Sequence, residues 1–429
     1  MSYLDDCVEL VTKGTTPTSI GGNFTDSGIN FLKVESISES GNFIKDKIQF
    51  IDQDTHQNLL RRSQLQENDI LFSIAGTIGR TAIATPEILP CNTNQALAII
   101  RPNLSKVNPY FLLYCLKDKK RLNKAKSNVV QSVQSNLSLS EIKKIEIPKY
   151  SLQYQSKISE VLKKFDDKIE LNQKMNETLE EIAKTLFKSW VIDFDPVRAK
   201  AEGRPTGLSK EISDLFPDSF EDTELGEIPK GWEVKALDEI AEFLNGLALQ
   251  KYPEDEECPR YPVLKIAQLR EGSTKNQNVF SSNIPDKYIV RNGDYIFSWS
   301  GSLLAKFWLG GDAALNQHLF KVTSQNYPKW FFAGWVEKHL DMFSSIASSK
   351  ATTMGHIKRS DLKNAKTVVP PIELISSFGE YFSPLREKAN LCFLENNILS
   401  ELRDTLLPRL ISGELKISDA ENLIEEAGI

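Results

Sequence analysis

Residues Gln153–Trp190 read QYQSKISEVLKKFDDKIELNQKMNETLEEIAKTLFKSW, a stretch without Gly or Pro and rich in Glu, Lys and Leu, which favour the helix. Ile158, Val161 and Phe165, then Met175, Leu179, Ile182 and Leu186, recur at steps of three and four, the spacing of a heptad seam. Lys168 and Asn172 interrupt it, and Asn172 falls in phase with Phe165 and Leu179. As one helix, these thirty-eight residues would reach about 57 Å. One small core does not need that length, so the stretch reads as a spacer or an assembly rod.

The rod occurs twice. In Ser377–Leu410, SFGEYFSPLREKANLCFLENNILSELRDTLLPRL, the residues Leu385, Cys392, Leu399 and Leu406 answer Phe165, Asn172, Leu179 and Leu186 at a constant offset of 220. Lys168 with Lys388, Leu171 with Leu391 and Asn176 with Asn396 are identical at that offset. A period this long means duplicated domains rather than a solenoid.

The blocks preceding the two rods run in the same order. NDILFSIAGTIGRTAIA and NGDYIFSWSGSLLAKFWLGG each read as strands around a Gly-containing turn, and INFLKVESIS answers YPVLKIAQLREG. NPYFLLYCLKDK answers the helical YPKWFFAGWVEK, and LDDCVEL answers LDEIAEF. Asp69 pairs with Asp294, Gly76 with Gly301, Asn94–Gln95 with Asn316–Gln317, and Glu141 with Asp361. The expected division is block 1–150, helix 151–191, acidic linker 192–230, block 231–371, helix 372–412 and acidic tail 413–429. The linker has Pro and Gly with little apolar periodicity, as expected of a segment that crosses a surface.

Composition is that of an ordinary soluble protein, with 40% hydrophobic and 26% charged residues. No apolar run is long enough for a membrane span, and MSYLDDCVELVTKG lacks the order of a secretory leader. Five scattered cysteines without a C-x-x-C pattern fit a reducing cytoplasm and no zinc site. The net charge of −6 is unevenly spread: residues 1–150 carry +3 and 231–370 carry +2, while 201–230 carry −5 and 371–429 carry −6. The globular blocks are therefore mildly basic, which permits contact with a phosphate backbone.

Catalytic patterns are missing. The sequence has no G-x-x-x-x-G-K-[ST], no G-x-S-x-G and no H-E-x-x-H. Its one double proline, Pro370–Pro371, lacks the flanking residues of an amino-methyltransferase motif, and the histidines at 56, 318, 339 and 356 show no ligand spacing. What remains is polar, loop-borne and duplicated. Lys33 and Lys265 occupy matching strands, with Gln268 close behind the latter. The turns offer Thr77 and Arg80 in one copy and Ser300, Ser302 and Lys306 in the other. Asn92, Asn94 and Gln95 match Asn316, Gln317 and His318. Two further loops add Gln131, Gln134 and Asn136, then Lys350, Thr352, Thr353 and His356. Such side chains can hydrogen-bond base edges or phosphates, which makes these twenty-one positions the candidate DNA-binding residues.

RAKAEGRPTG, LFPDSFEDTELGEIPKGWEV, TTMGHIKRSDL with its following VPP, and LLPRLISGEL complete the picture. With them the chain resembles, over essentially its whole length, the specificity subunit of Type I restriction–modification enzymes. The first half departs from the pattern, since its opening is short and the Val129–Asn136 loop lacks the TMGHI form. The resemblance implies an α+β fold in which two globular α/β target-recognition domains in tandem repeat are separated by two long antiparallel coiled-coil helices. It implies that each domain reads half of a split double-stranded DNA site and that the helices set the gap. It also implies two adenine-N6 methyltransferase subunits and ATP-dependent restriction subunits as partners. S-adenosylmethionine and ATP with Mg would sit on those partners, while this chain has no catalytic residue, cofactor, metal or membrane of its own. A coiled-coil adaptor without sequence-specific DNA binding, and a fused methyltransferase or nuclease, are the alternatives from other classes.

Overall fold

The computed structural model describes residues 1–127, 136–275, 277–349 and 355–426. It has two compact units, Met1–Ile169 with Ile398–Ile429, and Glu170–Asn397. The division falls inside both long helices, Leu152–Phe187 and Ile372–Ser412. A π-helical turn, Lys188–Ile192, follows the first of them.

Each unit contains two four-stranded sheets, the first alike in every strand and the second alike in three of its four. In the first unit, strands Val8–Lys13, Leu97–Pro102, Ile70–Ser73 and Thr81–Ile83 lie side by side, all antiparallel. In the second, Glu242–Asn245, Leu319–Thr323, Tyr295–Ser298 and Leu304–Phe307 take the same order. The second sheet of each unit mixes directions. Ile29–Leu32 runs parallel to Cys91–Thr93, and Arg260–Leu264 runs parallel to Ala313–Leu315. A short ladder closes each domain: Ser2–Tyr3 on Glu146–Ile147, and Glu233–Ala236 on Lys366–Val369. The abrupt first opening therefore still contributes two ladder residues where the second contributes four.

Two details show how closely the copies correspond. Leu4 and Leu237 are 233 positions apart, but Gly14 and Gly246 are 232 apart, so the first copy holds one extra residue between them. Strand Val8–Lys13 absorbs it as a bulge between Val8 and Leu10, the usual fate of an unpaired residue in a ladder. The glycines themselves are dictated by close approach. A Cβ on Gly14 would fall 1.9 Å from the Thr93 carbonyl oxygen, and one on Gly246 would fall 2.2 Å from that of Asn316.

The long helices pack as the seam requires, within each unit. In the second unit Asn172 donates to Glu395 at 2.8 Å, Asn176 donates to the Ala389 carbonyl at 3.0 Å, and Glu180 lies 3.5 Å from Arg386. Partner numbers fall on one segment as they rise on the other, so the segments are antiparallel. In the first unit Arg403 meets Asp166 at 2.6 Å and Tyr150 donates to the Ile411 carbonyl at 3.2 Å, in the same sense. Phe165, Cys392, Leu399 and Leu406 are buried, whereas Met175 and Ile182, placed on the seam by spacing, are exposed.

One segment differs from the sequence-based expectation. Residues 192–230, expected as a linker over the surface, carry helices Asp195–Ala201 and Lys210–Ser213 and a hairpin of Phe220–Thr223 with Gly226–Pro229. Their Phe194, Val197, Phe216 and Ile228 enter the core of the second unit with Trp190, Trp232 and Phe378. The acidic tail forms helix Ile417–Glu426, which buries Ile417, Ala420 and Ile424 in the first core. Spacings of three and four give it one apolar face, and the carboxylates occupy the other.

Because the colliding atom at both glycines is backbone, Gly14→Ala and Gly246→Ala should each cost more than about 3 kcal/mol. Urea denaturation of the two variants checks this; a loss under about 1 kcal/mol would mean that the strand ends move apart freely.

Candidate nucleic-acid interface

The turn after strand Ile70–Ser73, and after its counterpart Tyr295–Ser298, is held by one serine. Ser73, fully buried, donates from Oγ to the Thr77 carbonyl and accepts the Arg80 N–H at 2.8 Å. Ser298, equally buried, donates to the Ser302 carbonyl at 2.8 Å and accepts the Leu304 N–H at 2.8 Å. Gly76 and Gly301 follow at φ 70° and 66°, the left-handed conformation that glycine adopts without strain.

The same backbone bonds then lace three loops together in each copy. The Ile74 N–H donates to the Ala96 carbonyl at 2.9 Å, and the Ile74 carbonyl accepts the Leu137 N–H at 3.0 Å. The Trp299 N–H donates to the His318 carbonyl at 3.3 Å, and the Trp299 carbonyl accepts the Ile357 N–H at 3.0 Å. Helix caps fix the third loop alike, with Glu141 accepting the Ser138 N–H at 2.7 Å and Asp361 accepting the Lys358 N–H at 2.8 Å.

This lacing gathers many of the candidate residues into one rim per unit. In the first it brings Thr77, Asn94, Gln95 and Asn136 to neighbouring loops, with Thr77, Gln95 and Asn136 exposed. Gln95 accepts from Thr16 at 2.5 Å, and Asn94 accepts the Ala96 N–H at 3.2 Å. In the second unit it brings together Ser300, Ser302, Asn316, Gln317, His318 and His356. Ser300 Oγ lies 3.0 Å from His318 Nδ1, and Gln317 Nε2 lies 3.4 Å from His318 Nε2. Ser300 and His356 pair as a β-bridge, and Asn316 holds its own turn by accepting the His318 N–H at 3.3 Å.

Other candidates lie elsewhere. Asn92 is fully buried, bonded to His56 and, at 3.0 Å, to the Leu60 carbonyl. The Arg80 guanidinium donates to the carbonyls of Val34 and Ile37 at 3.4 and 3.0 Å, bracing a loop from within. Lys33 sits 4.9 Å over the Phe24 ring. Lys265 is exposed at the start of helix Ile266–Glu271, which also carries the half-buried Gln268. Lys306 donates to the Arg270 carbonyl at 3.2 Å, and burial pushes its ammonium pKa down. Gln131, Gln134, Lys350, Thr352 and Thr353 lie outside the described residues.

Three rim residues escaped the sequence reading: Thr16, Asn245 and Trp299. The Trp299 indole N–H donates to Asn245 Oδ1 at 2.9 Å and to the Gln317 carbonyl at 3.2 Å. Its ring lies 5.9 Å from that of His318 and 6.3 Å from that of His356. A tryptophan next to a Ser-Gly turn was the readable clue. Asn, Gln, Ser and His side chains both donate and accept, which suits the mixed patterns of base edges. Among the described residues no group of His, Cys, Asp or Glu is placed to hold a metal, and no helix is long and apolar enough to cross a membrane.

Removing the Ser73 or Ser298 hydroxyl leaves a turn N–H without its acceptor. Ser73→Ala and Ser298→Ala should each cost about 1–3 kcal/mol in denaturant titrations; an unchanged midpoint would mean that the turns hold their shape without the serine.

A family model described as Type I restriction modification DNA specificity domain matches residues 1–181 and 229–388. The Type I restriction enzyme MjaIX specificity subunit of Methanocaldococcus jannaschii is 31% identical over 363 residues, covering 82% of this chain and 78% of the relative. The HindI specificity subunit of Haemophilus influenzae is 25% identical over 413 residues, covering 82% of this chain and 88% of the relative. Among solved structures, the Type-I restriction-modification system S subunit from M. genitalium matches with a TM-score of 0.51 at 15% identity, over 95% of this chain and 94% of that one. At that identity the likeness is one of fold.

Proposed function

The chain belongs to the Type I restriction modification DNA specificity family, and on that premise we propose that its two domains each read one half of a split duplex site through their laced loop rims. One observation carries this reading. Both copies tie the same three loops with the same backbone bonds, yet present different side chains at matching positions: Thr77, Ala96 and Asn136 in one, Ser302, His318 and His356 in the other, with Gln95 and Gln317 alike. A constant frame with variable tips is what two readers of different half-sites need. The mild positive charge of the two blocks adds backbone attraction without deciding sequence.

On this reading the chain is a reader and scaffold, and chemistry belongs to its partners. Two adenine-N6 methyltransferase subunits would bring S-adenosylmethionine, and ATP-dependent restriction subunits would bring ATP with Mg. The helical segments of the second unit leave Leu171, Met175, Ile182 and Leu391 exposed. Exposed apolar residues on a helix pair support docking of further helices there.

The test is the pattern of modified adenines in cells that carry the partner subunits. Gln317→Ala with His318→Ala should lower discrimination by about 1–3 kcal/mol at one or two base pairs of a single half-site, leaving the other half intact. Uniform weakening on every sequence would make these side chains backbone contacts instead.

A further inference from the structure

The filling between domain and long helices differs between the two copies. In the first unit Tyr114, the fifth residue after Pro109, is buried and donates from its hydroxyl to Asp166 at 2.9 Å. Arg403 meets the other oxygen of that carboxylate at 2.6 Å, and Lys117 approaches it to 3.7 Å. A ring and an ion network thus fill the space where helix Pro109–Lys117 meets the long helices.

In the second unit the fifth residue after Pro328 is Ala333, followed by Gly334. The position answering Asp166, 220 residues on, is Arg386. With the ring replaced by a methyl group, a cavity of about 670 Å³ opens beside helix Lys329–Ser349, lined by both Ala333 and Arg386. That volume lies in the ordinary range for small-molecule sites.

The lining has a consistent chemistry. Trp330 and Phe382 stack at 4.3 Å on one wall, and the Arg386 guanidinium lies 4.4 Å over the Phe307 ring. Arg386, Lys184, Lys188, Lys306 and Lys338 outnumber the carboxylates Glu180 and Glu337, and burial pushes the Lys306 ammonium pKa down. Glu180 touches Arg386 only at 3.5 Å through a single oxygen, leaving most of the guanidinium fork unused. Burial pushes the Glu337 carboxyl pKa up, against the pull of Lys184 and Arg386.

We propose that this cavity binds a small aromatic anion, whose ring takes the place that Tyr114 fills in the first unit and whose carboxylate or phosphate meets Arg386. The exchange between copies defines the ligand. Where the first unit sets a phenol donor against a carboxylate, the second sets an arginine against an empty space, which calls for a ring bearing the opposite group.

Calorimetric titration of the full chain with benzoate and with adenosine monophosphate, each beside its neutral counterpart, benzamide or adenosine, tests this and separates the two anion types. One of the anions should saturate a single site, with its neutral counterpart at least about tenfold weaker. Arg386→Gln should lose about tenfold or more. Ala333→Tyr, which copies the first unit's own solution, should abolish binding without lowering the thermal midpoint. Should that variant fail to fold, Arg386→Gln alone decides. Failure of both anions to saturate at millimolar concentration overturns the proposal, as does binding that either variant leaves intact. The readout needs neither DNA nor partner subunits, so its result stands apart from that of the DNA-reading proposal.

Discussion

The seam between the long helices is the constraint on which each unit depends. A long amphipathic helix satisfies its own backbone but leaves an apolar stripe that must be covered. In the first unit the stripe is covered twice, by an antiparallel segment of the other long helix and by the domain core, while in the second Met175 and Ile182 stay exposed. Polar groups then fix the register. Asn172 sits almost fully buried in the seam and would be costly there without Glu395 at 2.8 Å. In the first unit Asp166 gathers Tyr114, Lys117 and Arg403 around one carboxylate. Burial pushes the Tyr114 hydroxyl pKa far up and the Lys117 ammonium pKa down, so the tyrosine remains a donor throughout the neutral range.

The duplication separates what the fold requires from what function can vary. The strand order of the main sheet, the parallel pair in each second sheet, the close-approach glycines and the turn serines recur in both copies. Loop tips do not recur, nor does the filling where each domain meets its helices. Rigid strand ends hold the variable tips in place, so a change of side chain at a tip need not disturb the frame.

Much of this was legible in the sequence because it rests on periodic patterns. The heptad steps announced both helices, and the constant offset of 220 announced the duplication. The paired residues Asn94–Gln95 and Asn316–Gln317 mark matching spots in the two blocks, and backbone bonds set the loops that carry them beside the turn loops. What stayed hidden has no period. Phe194, Phe216 and Trp232 anchor the acidic segment at irregular intervals, so its composition suggested a linker although its aromatics belong to a core. Asn92 and Arg80 looked like free polar groups, since sequence alone does not reveal that buried carbonyls and a histidine take up their hydrogen bonds. Trp299 was absorbed into a strand reading, because a tryptophan at a strand end resembles core until its indole N–H is seen on Asn245.

The central claim is that the two rims act as independent readers on equivalent frames. Exchanging residues 1–150 for the corresponding block of a relative with a known, different target tests it directly. The account predicts that the modified adenines, mapped by sequencing in cells carrying the partner subunits, will change in one half of the split site and stay the same in the other. Changes in both halves, or in neither, would contradict it.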